Sequence, residues 1–289
     1  MGSSFTTASS EAIPSLSATQ FATVYNLLSL VIATMLFTAL YLLLAQRQVA
    51  PRYRNALIVS AMVCGIAAYH YFRIFDNFKD SYPPGASVDA AHLLSSVEFN
   101  EGYRYVDWFL TVPLLLVETI AVMALTRLAS RQLLMKLVPA SALMIILGYP
   151  GELTLETGPR MFWWVVATVP FIYLIYVLFV ELTRALEGKS AEVRRQLSTL
   201  RLLLVVSWMV YPVAYLFPVF GGTFFGGSDG FVLKQAGYSI ADILAKALYG
   251  LLIYRLARTQ SAIDDPVAYG DHAETDITSV PSTTKQVAA

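Results

Sequence analysis

The segment Ile240-Ala-Asp-Ile-Leu-Ala-Lys-Ala-Leu-Tyr-Gly-Leu-Leu-Ile-Tyr254 places a lysine, Lys246, deep in an apolar run. A charged side chain near the middle of a membrane-spanning helix costs about 2.5–3.5 kcal/mol on insertion scales, so it is rare there without a function. Asp242 precedes Lys246 by one helical turn and lies on nearly the same helix face. A buried amine beside a carboxylate is consistent with a structural ion pair, a transport site or the anchor of a Schiff base.

The composition predicts a helical membrane protein. The 289 residues are 56% hydrophobic and only 14% charged, whereas soluble domains carry about 25% charged residues. The formal net charge is zero, which gives no reason to expect a nucleic-acid partner. The single cysteine, Cys64, excludes a disulfide within the chain.

Seven apolar segments predict an all-α, seven-transmembrane helix bundle between residues 19 and 258. We expect disordered termini at residues 1–18 and 259–289, because both stretches are polar and lack apolar periodicity. A polar stretch from about Asn77 to Asn100 is expected to cap the outer face. The predicted spans are approximately 19–46, 54–77, 101–126, 132–149, 161–187, 198–220 and 231–257.

The distribution of basic residues predicts the orientation. The odd-numbered loops and the end of the last span are rich in arginine and lysine, whereas the even-numbered loops carry mainly acidic residues and only Lys79, Arg160 and Lys234 as bases. The positive-inside rule therefore places the N-terminus outside the cell and the C-terminus in the cytoplasm.

The third predicted span carries a row of ionisable groups. With about 100° of rotation per residue, Thr111 lies about 40°, Glu118 about 20° and Arg104 about 60° from Asp107 around the helix. Asp107 and Glu118 are separated by about 16 Å along the helix axis. An Arg104–Asp107 ion pair is the simpler explanation, but the alignment together with the Lys246–Asp242 pair favours a pathway for protons or ions.

The sequence from Arg104 to Glu118, Arg-Tyr-Val-Asp-Trp-Phe-Leu-Thr-Val-Pro-Leu-Leu-Leu-Val-Glu, resembles the third-helix signature of the proteorhodopsin and xanthorhodopsin branch of the microbial rhodopsins. The Asp242-Ile-Leu-Ala-Lys246 stretch is similar to the retinal-binding motif of their seventh helix. The segments Tyr69–Phe75, Gly148–Glu152 and Ser207–Pro212 look closest to Gloeobacter rhodopsin.

The resemblance implies a role for each of the ionisable residues. Lys246 would bind all-trans-retinal as a protonated Schiff base, with Asp107 as counterion and proton acceptor and Asp242 as second counterion. Glu118 would be the cytoplasmic proton donor, and Asp107, Thr111 and Glu118 together form the pattern of outward proton pumps rather than of sodium or chloride pumps. His70 would be the partner of the acceptor, and Arg104 would gate the outer half-channel.

The resemblance also implies the walls of the chromophore pocket. Its expected lining residues are Thr111, Trp108, Leu115, Trp208 and Tyr211, of which Leu115 stands where green-absorbing members carry leucine. Xanthorhodopsin and its near relatives admit a carotenoid antenna through an opening made by a glycine. In this chain Trp164 occupies that position, so we expect no carotenoid antenna.

The predicted function is a light-driven outward proton pump, a transporter and not an enzyme, in the cell membrane. The alternatives are a photosensory rhodopsin that signals to a partner protein, and a retinal-free transporter or receptor that uses Lys246 and Asp242 as a salt bridge. The sequence offers no metal-binding cluster, phosphate loop or nucleophile–base pair. Protons, the lipid bilayer and further copies of the same chain are the expected partners.

Overall fold

The computed structural model describes residues 15–84, 97–154, 156–185, 187–217 and 227–270. The central part of the predicted outer loop and most of both predicted termini lie outside these ranges. Within them, the chain forms seven helical rods, α1 to α7, followed by a short helix, α8.

The first four rods are uninterrupted helices, and the fifth and seventh each contain a π-helical segment. The bounds are α1 Ala18–Ala45, α2 Pro51–Ser81, α3 Gly102–Val122, α4 Arg127–Glu152, α5 Thr157–Tyr176 with the π-helical Val177–Glu181 and Leu182–Ala185, α6 Ala191–Tyr215, α7 Gly227–Asp242 with the π-helical Ile243–Leu248 and Tyr249–Asp264, and α8 Pro266–Tyr269.

Local sequence signals fix where several of the helices begin. Ser17 and Gln20 form a capping box at the start of α1, and Pro51 occupies the first turn of α2. Thr126 and Ser190 accept backbone N–H hydrogen bonds at the starts of α4 and α6. These caps satisfy donors that the first helical turn leaves free.

Six of the rods are long and apolar enough to cross a membrane: Ala18–Gln48, Pro51–Ser81, Gly102–Val122, Arg127–Glu152, Thr157–Val180 and Ala191–Tyr215. The seventh is divided by the π-helical segment that contains Lys246. Each rod from α1 to α4 packs on the next, α5 packs mainly on α4 and only slightly on α6, and α7 packs on α6, α1 and α2. This arrangement closes the bundle and confirms the predicted seven-helix fold.

Several predicted boundaries differ from the structure. The third predicted span ran to residue 126, but α3 ends at Val122 and the chain turns at Ala124, which has a φ of 47°. The predicted sixth span ran to residue 220, whereas α6 ends at Tyr215.

Described structure extends into both predicted terminal segments. Leu16, inside the predicted disordered N-terminus, is buried at 0% exposure, and the neighbouring Ser17 caps α1. The predicted C-terminal tail began at residue 259, but α7 continues to Asp264 and α8 follows. Asp264 forms an ion pair with Arg52 at 2.9 Å, so polar residues there are held against α2.

Candidate functional site

Lys246 lies inside the bundle, with its amine between two carboxylates. Its Nζ donates hydrogen bonds to Asp107 Oδ2 at 2.5 Å and to Asp242 Oδ1 at 2.8 Å. Lys246 is 2% exposed, Asp107 1% and Asp242 0%. The structure thus brings together the three residues that the sequence predicted as a charge cluster, two from α7 and one from α3.

Two tyrosines hold the second carboxylate in place. The Tyr71 hydroxyl donates to Asp242 Oδ2 and the Tyr211 hydroxyl to Asp242 Oδ1, each at 2.6 Å. Both oxygens of Asp242 therefore have phenol donors in addition to the contact with Lys246. In contrast, Asp107 Oδ1 is buried and has no hydrogen-bond partner in the described part of the chain.

Arg104 continues the polar network along α3. Its Nη1 donates to the Tyr71 hydroxyl at 2.8 Å and its Nη2 to Gln235 Oε1 at 2.6 Å. Its Nε lies 3.4 Å from Glu101 Oε2. The simpler alternative, an ion pair between Arg104 and Asp107, is not formed among the described residues, and Tyr71 connects Arg104 to Asp242 instead.

A buried ionic cluster extends from Glu101 towards α4 and α5. Lys234 contacts Glu101 Oε1 at 3.2 Å and forms a closer ion pair with Glu152. Arg160 Nη2 lies 3.3 Å from Glu152 Oε1, and its other nitrogens donate to the carbonyls of Gly151, Thr154 and Tyr215. The sequence interpretation placed Lys234, Arg160 and Glu152 in loops, whereas all three lie in helices and are at most 8% exposed.

Glu118 occupies the same α3 face as Asp107, about three turns further along. It is 0% exposed, and neither of its carboxyl oxygens has a hydrogen-bond partner in the residues that the structure covers. The structure therefore keeps the predicted row of Arg104, Asp107 and Glu118 inside the bundle.

Lys246 lines an apolar cavity inside the bundle. Trp108, Leu115, Trp208 and Tyr211 line it, as the sequence predicted. The remaining wall is formed by Tyr105, Val112, Met144, Ile145, Gly148, Trp164, Ala167, Thr168, Phe171, Pro212, Tyr215, Tyr238, Asp242 and Ala245.

Trp164 closes part of this wall between α5 and α6. Its indole Nε1 donates a hydrogen bond to the Pro212 carbonyl at 2.9 Å. Because this residue bridges two neighbouring helices and lines the cavity, its ring fills space at the side of the bundle.

Two predicted site residues have contacts different from those expected. Thr111 is not among the cavity residues; it is fully buried, and its hydroxyl donates to the Asp107 carbonyl at 2.8 Å. His70 forms no hydrogen bond to Asp107, since His70 Nδ1 and Asp107 Oδ1 both lack partners among the described residues. The His70 ring instead packs edge-on against Tyr69, at 5.1 Å between centroids.

The sequence analysis did not identify three residues that connect the charged groups of the site. Tyr71, Gln235 and Glu101 connect Asp242 to Arg104 and to the ionic cluster. Gln235 had a detectable signal, because it is polar and lies two helical turns before Asp242 on a similar face. Tyr71 had none beyond its place next to His70, since tyrosine is also common in apolar cores.

Comparison with known proteins identifies the family. The model of the family described as bacteriorhodopsin-like protein matches residues 22–260. The chain belongs to the bacteriorhodopsin-like family. It is therefore a microbial rhodopsin and a multi-pass protein of the cell membrane.

Individual members of the bacteriorhodopsin-like family resemble the chain over most of its length. It is 28% identical to the green-light absorbing proteorhodopsin of Gamma-proteobacterium EBAC31A08, over 81% of this chain and 86% of that protein. It is 30% identical to archaerhodopsin-2 of Halobacterium sp. (strain aus-2), over 70% of this chain and 72% of that protein.

Solved rhodopsin structures share the fold. A thermophilic rhodopsin superposes with a TM-score of 0.83 at 42% identity, covering 88% of this chain and 99% of that structure. Xanthorhodopsin, described as a light-driven ion pump with dual chromophore, gives a TM-score of 0.81 at 40% identity, covering 87% and 98%. The expected likeness to the proteorhodopsin and xanthorhodopsin branch is confirmed, while the closer likeness to Gloeobacter rhodopsin stays a prediction.

Proposed function

We propose that this rhodopsin is a light-driven outward proton pump that carries all-trans-retinal on Lys246 as a protonated Schiff base. The observation that supports this proposal most strongly is the position of the Lys246 amine. It lies between two buried carboxylates, and Lys246 also lines an apolar cavity.

The residues around the cavity fit retinal. A flat, conjugated and largely apolar molecule suits walls made of the Trp108, Trp208 and Tyr211 rings. The nitrogen to which it would be attached is Nζ of Lys246, which lines the same cavity and contacts Asp107. When bound, retinal supplies light absorption and light-driven isomerisation.

The contacts of the two carboxylates support different roles for them. Asp242 is held by two tyrosine hydroxyls and serves as a fixed counter-charge. Asp107 lies 2.5 Å from the lysine nitrogen and has a second oxygen with no hydrogen-bond partner in the described ranges, so it is better placed to accept a proton. We therefore assign proton acceptance to Asp107 and charge compensation to Asp242.

Glu118 is the proposed donor that returns a proton to the Lys246 nitrogen. A carboxyl group buried without a counter-charge avoids the charged form because desolvation penalises it. Glu118 lies further along α3 than Asp107, about 16 Å away by helical rise. Acceptance at Asp107 and donation from Glu118 thus occur towards opposite ends of the bundle, as vectorial transport requires.

Arg104 and the orientation of the chain set the proposed direction of transport. Arg104 lies on the side of Asp107 away from Glu118 and is hydrogen-bonded to Tyr71 and Gln235, which suits a gate in the outer half-channel. Arginine-rich loops on the Glu118 side support a cytoplasmic location for that end. Each proton moved outward then works against about 2.3 kcal/mol per 100 mV of membrane potential.

The test is the light-induced pH change of an unbuffered suspension of cells that express the protein and are supplied with retinal. Acidification that a protonophore abolishes is the expected result, and the Lys246→Ala variant should give no signal. Alkalinisation abolished by the protonophore would mean inward transport of protons. Alkalinisation enhanced by the protonophore would mean that the protein pumps another ion. A coloured protein that transports no ions would contradict the assignment as a pump and favour a photosensory function.

A further inference from the structure

A buried pair of hydroxyl groups connects α3 and α7 directly beside Glu118. The hydroxyl oxygen of Tyr249 lies 2.5 Å from Thr119 Oγ1. Tyr249 is 0% exposed and Thr119 is 3% exposed. Neither residue belongs to the proton pathway derived above, and a buried hydroxyl group is costly unless it forms hydrogen bonds.

The direction of the hydrogen bond between them follows from their other contacts. Thr119 Oγ1 also lies 2.6 Å from the Leu115 carbonyl, which can only accept, so the threonine donates its hydrogen there. A hydroxyl group has one hydrogen to donate. The Tyr249 phenol must therefore donate to Thr119, which leaves the lone pairs of the Tyr249 oxygen able to accept another hydrogen bond.

Glu118 is the neighbouring group that lacks a partner. It precedes Thr119 in α3, and both of its carboxyl oxygens are buried without hydrogen bonds in the part of the chain described. Tyr249 is close enough to Glu118 for an electrostatic interaction. Ser60 on α2 lies close enough to Glu118 to interact with its carboxyl group, and its buried hydroxyl has no other partner among the described residues.

The backbone of α7 comes close to α2 at this level. A Cβ atom added to Gly250 would lie 3.4 Å from Ser60 Cβ and 3.0 Å from Leu42 Cδ1. Side chains from α2, α3 and α7 therefore surround one buried polar location that contains Ser60, Glu118 and Tyr249. Buried polar groups in native proteins almost always have a protein or water partner.

We propose that Tyr249, fixed by Thr119, is a positioning residue for Glu118. Its phenol oxygen accepts a hydrogen bond from the protonated carboxyl group through one internal water molecule that Ser60 also contacts. The hydrogen bond orients the carboxyl group for transfer of its proton to the Lys246 nitrogen. This inference rests on the proposed donor role of Glu118 and deepens it.

The first measurement is the infrared carbonyl stretch of protonated Glu118, assigned as the band that the Glu118→Gln variant loses. Tyr249→Phe removes the hydroxyl group and keeps the ring, so the band should move to higher frequency. Tyr254→Phe is the matched control: it lies on the same helix, but its hydroxyl bonds to Gln48. An unmoved band in Tyr249→Phe, or an equal shift in Tyr254→Phe, would overturn the proposal.

The second measurement is the recovery of the dark-state absorption after a flash. Recovery should slow by about fivefold in Tyr249→Phe, the factor for one neutral hydrogen bond of about 1 kcal/mol. Thr119→Val should slow recovery by the same factor. The double variant with both substitutions should recover only slightly more slowly than either single variant, because the two residues act as one unit. A shifted band with unchanged recovery, or additive effects, would refute the positioning role.

The Glu118→Gln variant separates this inference from the proposed function. If its recovery is slow while Tyr249→Phe behaves as the unmodified protein, the positioning role of Tyr249 is wrong and the donor role stands. If Glu118→Gln recovers normally, the donor role itself is wrong. Thermal unfolding of each variant checks that the fold is retained.

Discussion

Lys246 and Asp107 contact each other directly across α7 and α3, with 2.5 Å between Nζ and Oδ2. Asp242 contacts the same amine from one helical turn away, at 2.8 Å. The two carboxylates differ in their remaining contacts, because tyrosine hydroxyls hold only Asp242. This difference makes their functions separable by substitution.

Replacing Asp107 with asparagine should abolish light-driven acidification and shift the absorption band to longer wavelength. Asparagine keeps the size of the side chain but removes the negative charge next to the Lys246 nitrogen, so the positive charge is less confined to that nitrogen. Absorption spectra of the purified pigment and pH recordings from cells measure both effects. Asp229→Asn is the control, because Asp229 is exposed and bonds to Gln20; an Asp107→Asn variant that still pumped would contradict the acceptor assignment.

Replacing Glu118 with glutamine should slow the recovery of the dark-state absorption by about 100-fold, a typical loss for a general acid. The formation of the deprotonated chromophore should be unaffected, because Asp107 remains in place. Flash photolysis at two wavelengths resolves the two phases. The control is Glu192→Gln, whose carboxylate pairs with Arg195 at the start of α6, and equal recovery rates in the two variants would show that another group is the donor.

The charged centre was predictable from the sequence because its members lie on two helices at helical spacing. Asp242 and Lys246 share one face by their separation of four residues, and so do Asp107 and Glu118 after three turns. Contacts between helices were not predictable in the same way. Which residue reaches Asp242 from α2 depends on how the helices pack.

The incorrect predictions have the same origin. Lys234 and Glu152 were assigned to loops because charged residues near the end of an apolar run usually face water. In the structure they neutralise each other inside the bundle. Thr111 shares the face of Asp107 but turns its hydroxyl to the helix backbone, so its place in a chromophore pocket stays a prediction.

The Gly151→Ala variant should be less stable than the unmodified protein by about 1–3 kcal/mol, the usual cost of overpacking a core. A Cβ atom there would lie 1.8 Å from the Tyr215 hydroxyl oxygen and 2.8 Å from Trp163 Cβ. Thermal unfolding of the purified pigment measures the effect. In the control, Gly65→Ala, the new Cβ meets no atom within 4 Å, and the helix should gain about 0.5–1 kcal/mol; equal stability of the two variants would contradict the expected clash.

The Lys234→Met variant should lose about 3–5 kcal/mol of stability, the cost of removing one partner from a buried ion pair. Glu152 would keep Arg160 as a cation, but Glu101 and Glu152 would no longer share a positive charge between them. The matched control is Lys79→Met, whose partner Asp76 is exposed, and no measurable change is expected there. If thermal unfolding gave the same midpoint for both variants, the buried cluster would contribute no more than a surface pair.

The unmodified protein should gain no antenna function when a hydroxylated carotenoid is added, because the Trp164 indole fills the gap between α5 and α6. The hydrogen bond from its Nε1 to the Pro212 carbonyl fixes the ring in that position. Trp164→Gly removes the ring and should open the wall of the cavity, so that blue light absorbed by the carotenoid drives transport. The action spectrum of acidification reports this transfer, with Trp164→Phe as the control that keeps most of the bulk. A carotenoid band in the action spectrum of the unmodified protein would show that the ring does not exclude the antenna.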